Sequence, residues 1–185
     1  MIITVASQHG AGKSTAVDLL LKRFPRMRKL EMGAKFRQLA EKHGMTIDDY
    51  ISWLTKNPKE SGRVDREMDE YQKSEIAKGN ILVDSNLGAL FAPNADVRVL
   101  ITCPAEVRAR RVLADPSRKG DKKAASVSQE ASTLKERDEN DRKRYLKLYK
   151  FDMFDPKNYD VVIDTAKTPK DAVVNRIITA KGAKK

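Results

Sequence analysis

Apolar residues gather in five short runs along the chain, at residues 2–6, about 28–32, 81–83, 97–103 and 161–163. Each run is nearly continuous rather than alternating, which is typical of strands buried on both faces of a sheet. Apolar residues at helical spacing occupy the segments between the runs, at 13–24, 34–43, 68–78, 105–113, 127–148 and 169–178. Because strands that alternate with helices form parallel β-α-β units, the pattern predicts an α/β sheet with helices on both faces.

Two connections between the predicted strands are longer than a minimal crossover. Residues 33–80 contain several helical pieces, and residues 104–159 contain two helices separated by a loop-like stretch. Long insertions of this kind often form mobile lobes over a ligand site. We therefore expect a single domain over residues 1–185 that carries two lobes.

The positive charge of the chain leaves two interpretations open, an anionic partner or an ordinary solvated surface. Lys and Arg number 37 against 26 Asp and Glu, a net charge of +11, and residues 108–150 are especially basic. Such a stretch suits nucleic acid, lipid headgroups or a small polyanion such as ATP. No apolar stretch approaches the ~20 residues of a membrane span, so we expect no membrane association. The lone Cys103 lies in an apolar run, which predicts a buried thiol and a cytoplasmic protein.

The residues after the first apolar run read SQHGAGKST, from Ser7 to Thr15. They resemble the phosphate-binding P-loop, G-x-x-x-x-G-K-[ST], with Ser7 in place of its first glycine. The stretch follows a predicted strand and precedes a predicted helix, which is the context that this loop requires. An ordinary strand–turn–helix connection is the alternative. We predict an ATP site formed by Gly10, Ala11, Gly12, Lys13, Ser14 and Thr15.

Each residue type in this loop suits phosphate chemistry. Gly10 and Gly12 let backbone N–H groups turn inward around phosphate oxygens, and the start of the next helix adds partial positive charge. Lys13 would reach the β- and γ-phosphates of ATP, and the Ser14 hydroxyl would bind Mg2+. Asp84 ends the third apolar run and is the predicted second Mg2+ ligand, although an aspartate there is also a common turn former.

Residues 31–40, EMGAKFRQLA, resemble the nucleoside monophosphate kinases, and the cytidylate kinases most closely. The bacterial pattern at this place is an acidic residue followed by S-G-A-x-Y-R-x-L-A. Gly33 and Arg37 match it, and the resemblance implies that both belong to the acceptor site, with Arg37 on the acceptor phosphate. A solvent-exposed helix arginine is the other interpretation of Arg37.

A charged segment at residues 134–144, LKERDENDRKR, is similar to the cytidylate kinase pattern R-D-x-x-D-R-x-R. The resemblance implies that Arg137 and Arg144 contact nucleotide phosphates during catalysis, together with Lys13, and that Asp141 contacts the acceptor nucleoside. Arg137, Asp141 and Arg144 fall at i, i+4 and i+7, on one face of a helix. A surface row of ion pairs would have the same spacing.

Further stretches extend the resemblance to most of the chain. Asp65 and Arg66 open DREMD, which is similar to a segment of the archaeal-type cytidylate kinases that we assign to the acceptor side. Arg111 aligns with an arginine that packs on adenine, and VIDT at residues 162–165 resembles the family's adenine-side loop. The resemblance also implies that residues 33–80 form the acceptor-binding lobe and residues 112–136 the lid.

Three positions depart from the family pattern. The family often has D/E-G-R after the third strand, where this chain has Asp84-Ser85-Asn86. Asn86 thus stands at an acceptor-binding position but cannot supply the bidentate cationic fork of an arginine. Met32 replaces a serine near the base, which weakens the case for cytosine, and Ser7 replaces a loop glycine. These changes permit a shifted substrate, a weaker enzyme or a degenerate homologue.

The resemblance implies a P-loop three-layer sandwich and Mg2+-dependent transfer of the ATP γ-phosphate to a nucleoside monophosphate, CMP or dCMP. Its partners would be small-molecule nucleotides, and we expect a monomer. Two alternatives stay open, a P-loop small-molecule kinase with another acceptor and a non-catalytic, ATP-gated nucleic-acid-binding protein. Aromatic residues make up 6% of the chain, and no stacking pattern interleaves with the basic residues, which argues against nucleic acid.

Overall fold

A computed structural model describes residues 1–116 and 124–182 of the chain. Within these ranges five strands form one sheet: β1 (Ile2–Ser7), β2 (Arg28–Glu31), β3 (Ile81–Asp84), β4 (Val97–Thr102) and β5 (Val161–Asp164). Their order across the sheet is β2-β3-β1-β4-β5, and every pairing is parallel. The predicted α/β fold with a five-stranded parallel sheet is confirmed.

Eight α-helices lie in the same ranges: α1 (Lys13–Arg23), α2 (Met32–Lys42), α3 (Ile47–Lys56), α4 (Pro58–Ala77), α5 (Gly88–Phe91), α6 (Ala105–Ala114), α7 (Val127–Tyr149) and α8 (Lys170–Gly182). A 3-10 turn at Pro156–Asn158 precedes β5. Throughout the described part of the chain, every helix is too short or too polar to cross a membrane.

The helices differ from the sequence-based expectation in three places. α4 begins at Pro58 rather than at residue 68, because proline suits the first turn of a helix, where its missing N–H is not needed. α3 was not predicted, although its cap is readable in the sequence: the Thr46 hydroxyl accepts the Asp49 N–H at 3.2 Å. α5 has four residues, too few to reveal a helical period.

The sheet separates two apolar layers, since successive strand side chains point to opposite faces. On one face Ile3 and Val5 of β1 pack against α1 and α8, whose Leu20 and Ile177 are fully buried. On the other face Ile76 of α4 packs in a separate cluster against β3. Helices, sheet and helices therefore form the three predicted layers.

The strand order creates a cleft at one edge of the sheet. The chain goes from β1 to β2 and β3 on one side, and then to β4 and β5 on the other. Such a reversal opens a crevice at the carboxyl ends of the strands, where open α/β sheets bind ligands. Ser7, Glu31 and Asp84 end β1, β2 and β3 at this edge. Glu31 and Asp84 are register partners, which places the two carboxylates on adjacent strands.

Helical segments occupy the positions of the two predicted lobes. Residues 33–80 include α3, α4 and most of α2, which pack together through Leu39, Tyr50 and Val64. The predicted lid, residues 112–136, begins in α6 and ends in α7, and its residues 117–123 lie outside the described residues. Next to that segment α6 and α7 pack on each other through Ala109 and Leu134.

Candidate active site

The phosphate loop connects the end of β1 to the start of α1 and turns at two glycines. Gly10 and Gly12 have φ values of +74° and +96°, in the left-handed region that favours glycine. A Cβ on Gly10 would lie 3.0 Å from Val112 Cγ2, because α6 packs directly on the loop. Ser7 is the last residue of β1, and among the described residues it is not one of those with a positive φ. Serine is therefore accommodated where the pattern has its first glycine.

Two of the departures from the family pattern are in contact with each other. The backbone N–H of Ser7 donates to Asn86 Oδ1 at 3.0 Å, and both residues line the cleft. Asn86 therefore holds the start of the phosphate loop, in addition to any contact with an acceptor. The third departure has a different explanation, since Met32 is 9% exposed and packs in the core with Leu30 and Ile76.

Lys13 and Asp84 form an ion pair at the base of the cleft. Lys13 Nζ lies 2.6 Å from Asp84 Oδ1, and the Asp84 residue is 6% exposed. Ser14 lines the same cleft, so a hydroxyl and a carboxylate oxygen stand where the sequence predicts Mg2+ ligands. These hard oxygen donors fit Mg2+, which usually takes one or two protein ligands beside phosphates and water. The described residues contain no cluster of three or more side chains that could hold a metal ion. Such a cluster is not required for a Mg2+ site of this kind, since phosphates and water supply the other ligands.

The cleft around the loop is large enough for a substrate. Its volume is about 630 Å3, within the ~300–1,000 Å3 range of ligand pockets. The wall beside β2 contains Glu31, Gly33 and Arg37, and the wall beside β5 contains Arg111 and Thr165. The structure therefore brings the phosphate loop into one cleft with Gly33 and Arg37, which are predicted for the acceptor, and with Arg111, which is predicted for adenine.

Hydrogen bonds attach the wall beside β5 to the phosphate loop. Arg111 donates to Thr165 Oγ1 and to the Thr165 carbonyl, both at 2.9 Å. The Thr165 hydroxyl in turn donates to the Ala11 carbonyl at 2.7 Å. A chain of contacts thus runs from α6 through the loop after β5 to the phosphate loop, and it fixes where Arg111 enters the cleft.

Arg37 enters the cleft paired with a carboxylate that the sequence-based site did not include. Arg37 donates to Glu31 Oε1 at 2.8 Å, and Lys29 Nζ lies 2.8 Å from Glu31 Oε2. The hydrogen bond from Lys29, supported by Arg37, outweighs burial and lowers the pKa of Glu31. Glu31 is therefore an anion between two cations. Glu31 could have been included in the predicted site, because it matches the acidic residue at the start of the family pattern.

The residues of α4 and α7 that were predicted for the site make contacts outside the cleft or are exposed to solvent. Arg144 forms an ion pair with Asp65, and Asp141 lies 3.6 Å from the ring of His9 in the phosphate loop. Burial is the main cause that raises the pKa of Asp141. None of the five predicted residues on these two helices is among the residues that line the cleft, and Arg66 and Arg137 are also exposed.

A buried ion pair connects α6, α7 and the phosphate loop. Arg108 and Asp138 are 2% and 6% exposed, and Arg108 NH1 lies 2.7 Å from Asp138 Oδ2. Asp138 Oδ1 accepts the His9 backbone N–H at 2.9 Å and the His9 ring Nδ1–H at 2.8 Å. Arg108 also donates to the His9 carbonyl at 2.7 Å. None of the three had been assigned a role from the sequence.

The pKa of Asp138 reflects this arrangement. Burial opposes ionisation of the carboxyl group, but the hydrogen bonds from His9 and the charge of Arg108 prevail and keep its pKa below the ordinary value. Asp138 is therefore ionised and forms a true ion pair with Arg108. Because both residues also bind His9, the pair fastens the middle of the phosphate loop to α6 and α7.

The strand order and the loop after the central strand place this chain in the class of P-loop kinases. Residues 3–147 match the family described as AAA domain. The cytidylate kinase of Pyrococcus furiosus is 30% identical over 173 residues, which cover 94% of this chain and 84% of that protein. The cytidylate kinase of Archaeoglobus fulgidus is 31% identical over 186 residues, which cover 100% and 97%. The chain belongs to the cytidylate kinase family.

A solved structure with lower sequence identity has the same fold. Shikimate kinase from Acinetobacter baumannii superposes with a TM-score of 0.58 over 100% of this chain and 94% of that chain. Its sequence identity is 18%, so the similarity concerns the fold alone.

Proposed function

We propose that the protein transfers the γ-phosphoryl group of ATP to a nucleoside monophosphate, with CMP or dCMP as the acceptor and Mg2+ as the cofactor. One observation carries the proposal: a single cleft runs from Lys13 and Ser14 in the phosphate loop to Arg37 on α2. A donor phosphate and an acceptor phosphate would meet inside it. Similarity to cytidylate kinases along nearly the whole chain supports the pyrimidine acceptor. We further propose a monomeric enzyme that acts in the cytoplasm.

The donor half of the cleft suits ATP. Backbone N–H groups of the loop and the start of α1 would bind the β- and γ-phosphates, and Lys13 would neutralise charge during transfer. Arg111 borders the side toward β5, where the adenine would lie. Bound Mg2+ would supply positive charge that offsets the negative charge of the phosphates. Ser14 and Asp84 are the groups of this chain that would hold it.

Transfer forms one P–O bond and breaks another. An oxygen of the acceptor phosphate attacks the γ-phosphorus, and ADP leaves with the bridging oxygen. Because the attacking oxygen is already anionic, the reaction needs positioning and charge neutralisation rather than a strong general base. Arg37 would place the acceptor phosphate, and Asp141 and Arg144 would act from α7. None of these residues of α7 lines the cleft, and Arg137 is exposed, so the proposed contacts of Arg137, Asp141 and Arg144 with the nucleotides require a change of position on binding.

Three of the cations assigned to phosphates are paired with carboxylates. The pairs are Lys13 with Asp84, Arg37 with Glu31 and Arg144 with Asp65. We propose that phosphate oxygens replace the carboxylates at Arg37 and Arg144 when the nucleotides bind. Each arginine would then be neutralised in both states, and Glu31 would keep Lys29 as its partner.

An acceptor panel tests the proposed reaction. ADP release from ATP and Mg2+ is measured with CMP, dCMP, UMP, AMP or no acceptor. We expect CMP or dCMP to stimulate ADP release more than the other monophosphates do. Turnover that is independent of the acceptor, or no turnover at all, would contradict the kinase proposal. Salt-sensitive RNA binding without acceptor-stimulated turnover would favour the nucleic-acid-binding alternative.

The Arg37→Ala variant tests the acceptor end of the cleft. A hydrogen bond to a charged group contributes ~1.5–3 kcal/mol, so we expect the KM for the acceptor to rise about 10- to 150-fold. The KM for ATP should stay within about threefold of the wild type, because ATP is assigned to the other half of the cleft. Steady-state kinetics with each substrate varied in turn give both values.

Lys42→Ala is the matched control for this variant, since Lys42 is an exposed cation at the last turn of the same helix. It should leave both KM values close to those of the wild type. Equal increases of both KM values in Arg37→Ala would contradict the role assigned to Arg37.

A further inference from the structure

The imidazole of His9 lies between two carboxylates of α7. Its Nδ1 is 2.8 Å from Asp138 Oδ1, and its Nε2 is 3.6 Å from Asp141 Oδ2. Asp138 and Asp141 are three residues apart in α7 and so lie on one face of that helix. His9 itself lines the substrate cleft. A side chain of the phosphate loop therefore reaches the residue that we assign to the acceptor nucleoside.

The contact with Asp138 determines which ring nitrogen of His9 carries a proton. An ionised carboxylate only accepts hydrogen bonds, so the imidazole proton toward Asp138 must be on Nδ1. Nε2 then faces Asp141, and this contact is attractive when one proton lies between the two groups, on the imidazole or on the carboxyl. Arg108 also faces this group, beyond Asp138, and Lys13 and Arg144 are near Asp141.

We propose that His9 is a positioning residue that holds Asp141 for the acceptor and links the phosphate loop to the acceptor side of the cleft. This inference rests on the proposed function, since it concerns the same acceptor. His9 acts through Asp141 rather than on the reacting atoms. A simpler role is that His9 only fastens the loop to α7 through Asp138. That role predicts no special relation between His9 and Asp141.

A double-mutant cycle separates the two roles. His9→Asn retains an amide N–H near the position of Nδ1 and so keeps the contact with Asp138, but it has no group at the position of Nε2. Asp141→Asn removes the carboxylate charge of the other partner. We measure the Kd of CMP by calorimetry and the steady-state constants for wild type, both single variants and the double variant.

The proposal predicts a specific pattern of constants. His9→Asn should weaken CMP binding by about fivefold or more, and the double variant should be little weaker than Asp141→Asn alone, because contacting residues are not additive. The KM for ATP should change less than about twofold. His9→Gln, whose amide extends to about the reach of Nε2, should recover part of the CMP affinity.

Several results would overturn the proposal. Equal changes of the constants for CMP and ATP in His9→Asn, or effects of the two substitutions that multiply in the double variant, would show that His9 does not act through Asp141. A wild type that binds CMP without phosphorylating it would contradict the proposed reaction, while the Kd cycle would still decide the role of His9. A wild type that does not bind CMP would overturn both.

Discussion

Replacement of Lys13 with alanine is expected to lower kcat for phosphoryl transfer by about 10²–10³-fold or more, as the loss of a preorganised charge-stabilising donor does in other enzymes. Lys13 is the cation of the phosphate loop and lies 2.6 Å from Asp84 Oδ1. When ATP is bound, its charge would be directed at the phosphates, where negative charge moves during transfer. The rate of ADP formation at saturating ATP and acceptor measures the effect.

The same substitution leaves Asp84 without its partner, so its folding must be measured alongside its activity. Lys22→Ala is the matched control, because Lys22 is an exposed lysine in the last turn of the same helix. A Lys13→Ala variant that unfolds near the wild-type temperature and lacks activity supports the assignment. A folded Lys13→Ala variant with nearly wild-type kcat would contradict it.

The largest effect on stability is expected from Asp138→Asn. Loss of the carboxylate charge leaves the buried Arg108 without its ion-pair partner, and breaking a buried pair in this way costs about 3–5 kcal/mol. Since ~1 kcal/mol shifts Tm by about 2–4 °C in a domain of this size, we expect Tm to fall by about 6–20 °C. Thermal unfolding followed by circular dichroism measures the shift.

Glu139→Ala is the matched control for Asp138→Asn. Glu139 is the next residue of α7, it is exposed, and its Oε1 lies 3.6 Å from Lys143 Nζ one turn later. A pair of that kind contributes ~0.3–0.5 kcal/mol, so its loss should shift Tm by only about 2 °C or less. Similar small shifts in both variants would show that the pair of Arg108 and Asp138 does not fasten the loop.

Stability should also depend on pH through Asp138. Its pKa in the folded protein is below the ordinary value of 3.8, so its contribution to stability is complete above about pH 4 and is lost as the pH falls through the lower folded value. The difference in unfolding free energy between wild type and Asp138→Asn should therefore be constant near neutral pH and shrink in acid. Urea unfolding at several pH values tests this. A difference that grows in acid would reverse the predicted sign.

Much of the fold, and the position of the phosphate loop between β1 and α1, was predictable because the signals are local. The continuous apolar runs identify strands buried on both faces, and the glycines and Lys13 lie within one short loop. Asp84 was predictable because it ends an apolar run, and parallel strands bring their carboxyl ends to one edge of the sheet. Arg37 was placed on the acceptor side by a family pattern, and it does line the cleft.

The contacts that fasten the loop were not predictable from spacing, because they join distant parts of the chain. His9 and Asp138 are 129 residues apart, and Ser7 and Asn86 are 79 residues apart. The two residues of each pair are brought together only by the folded arrangement of the chain. Ser7 and Asn86 appeared in the sequence as two separate departures from the family, whereas in the folded protein the Asn86 side chain accepts the Ser7 N–H.

Transfer of labelled phosphate to CMP shows directly whether the protein is a nucleoside monophosphate kinase. The protein is incubated with γ-32P-labelled ATP, Mg2+ and CMP, and the nucleotides are separated, with Lys13→Ala as the blank. We expect labelled CDP that forms as ATP is consumed and that is absent from the Lys13→Ala reaction. Label that appears only as inorganic phosphate, at a rate that CMP does not change, would contradict this expectation.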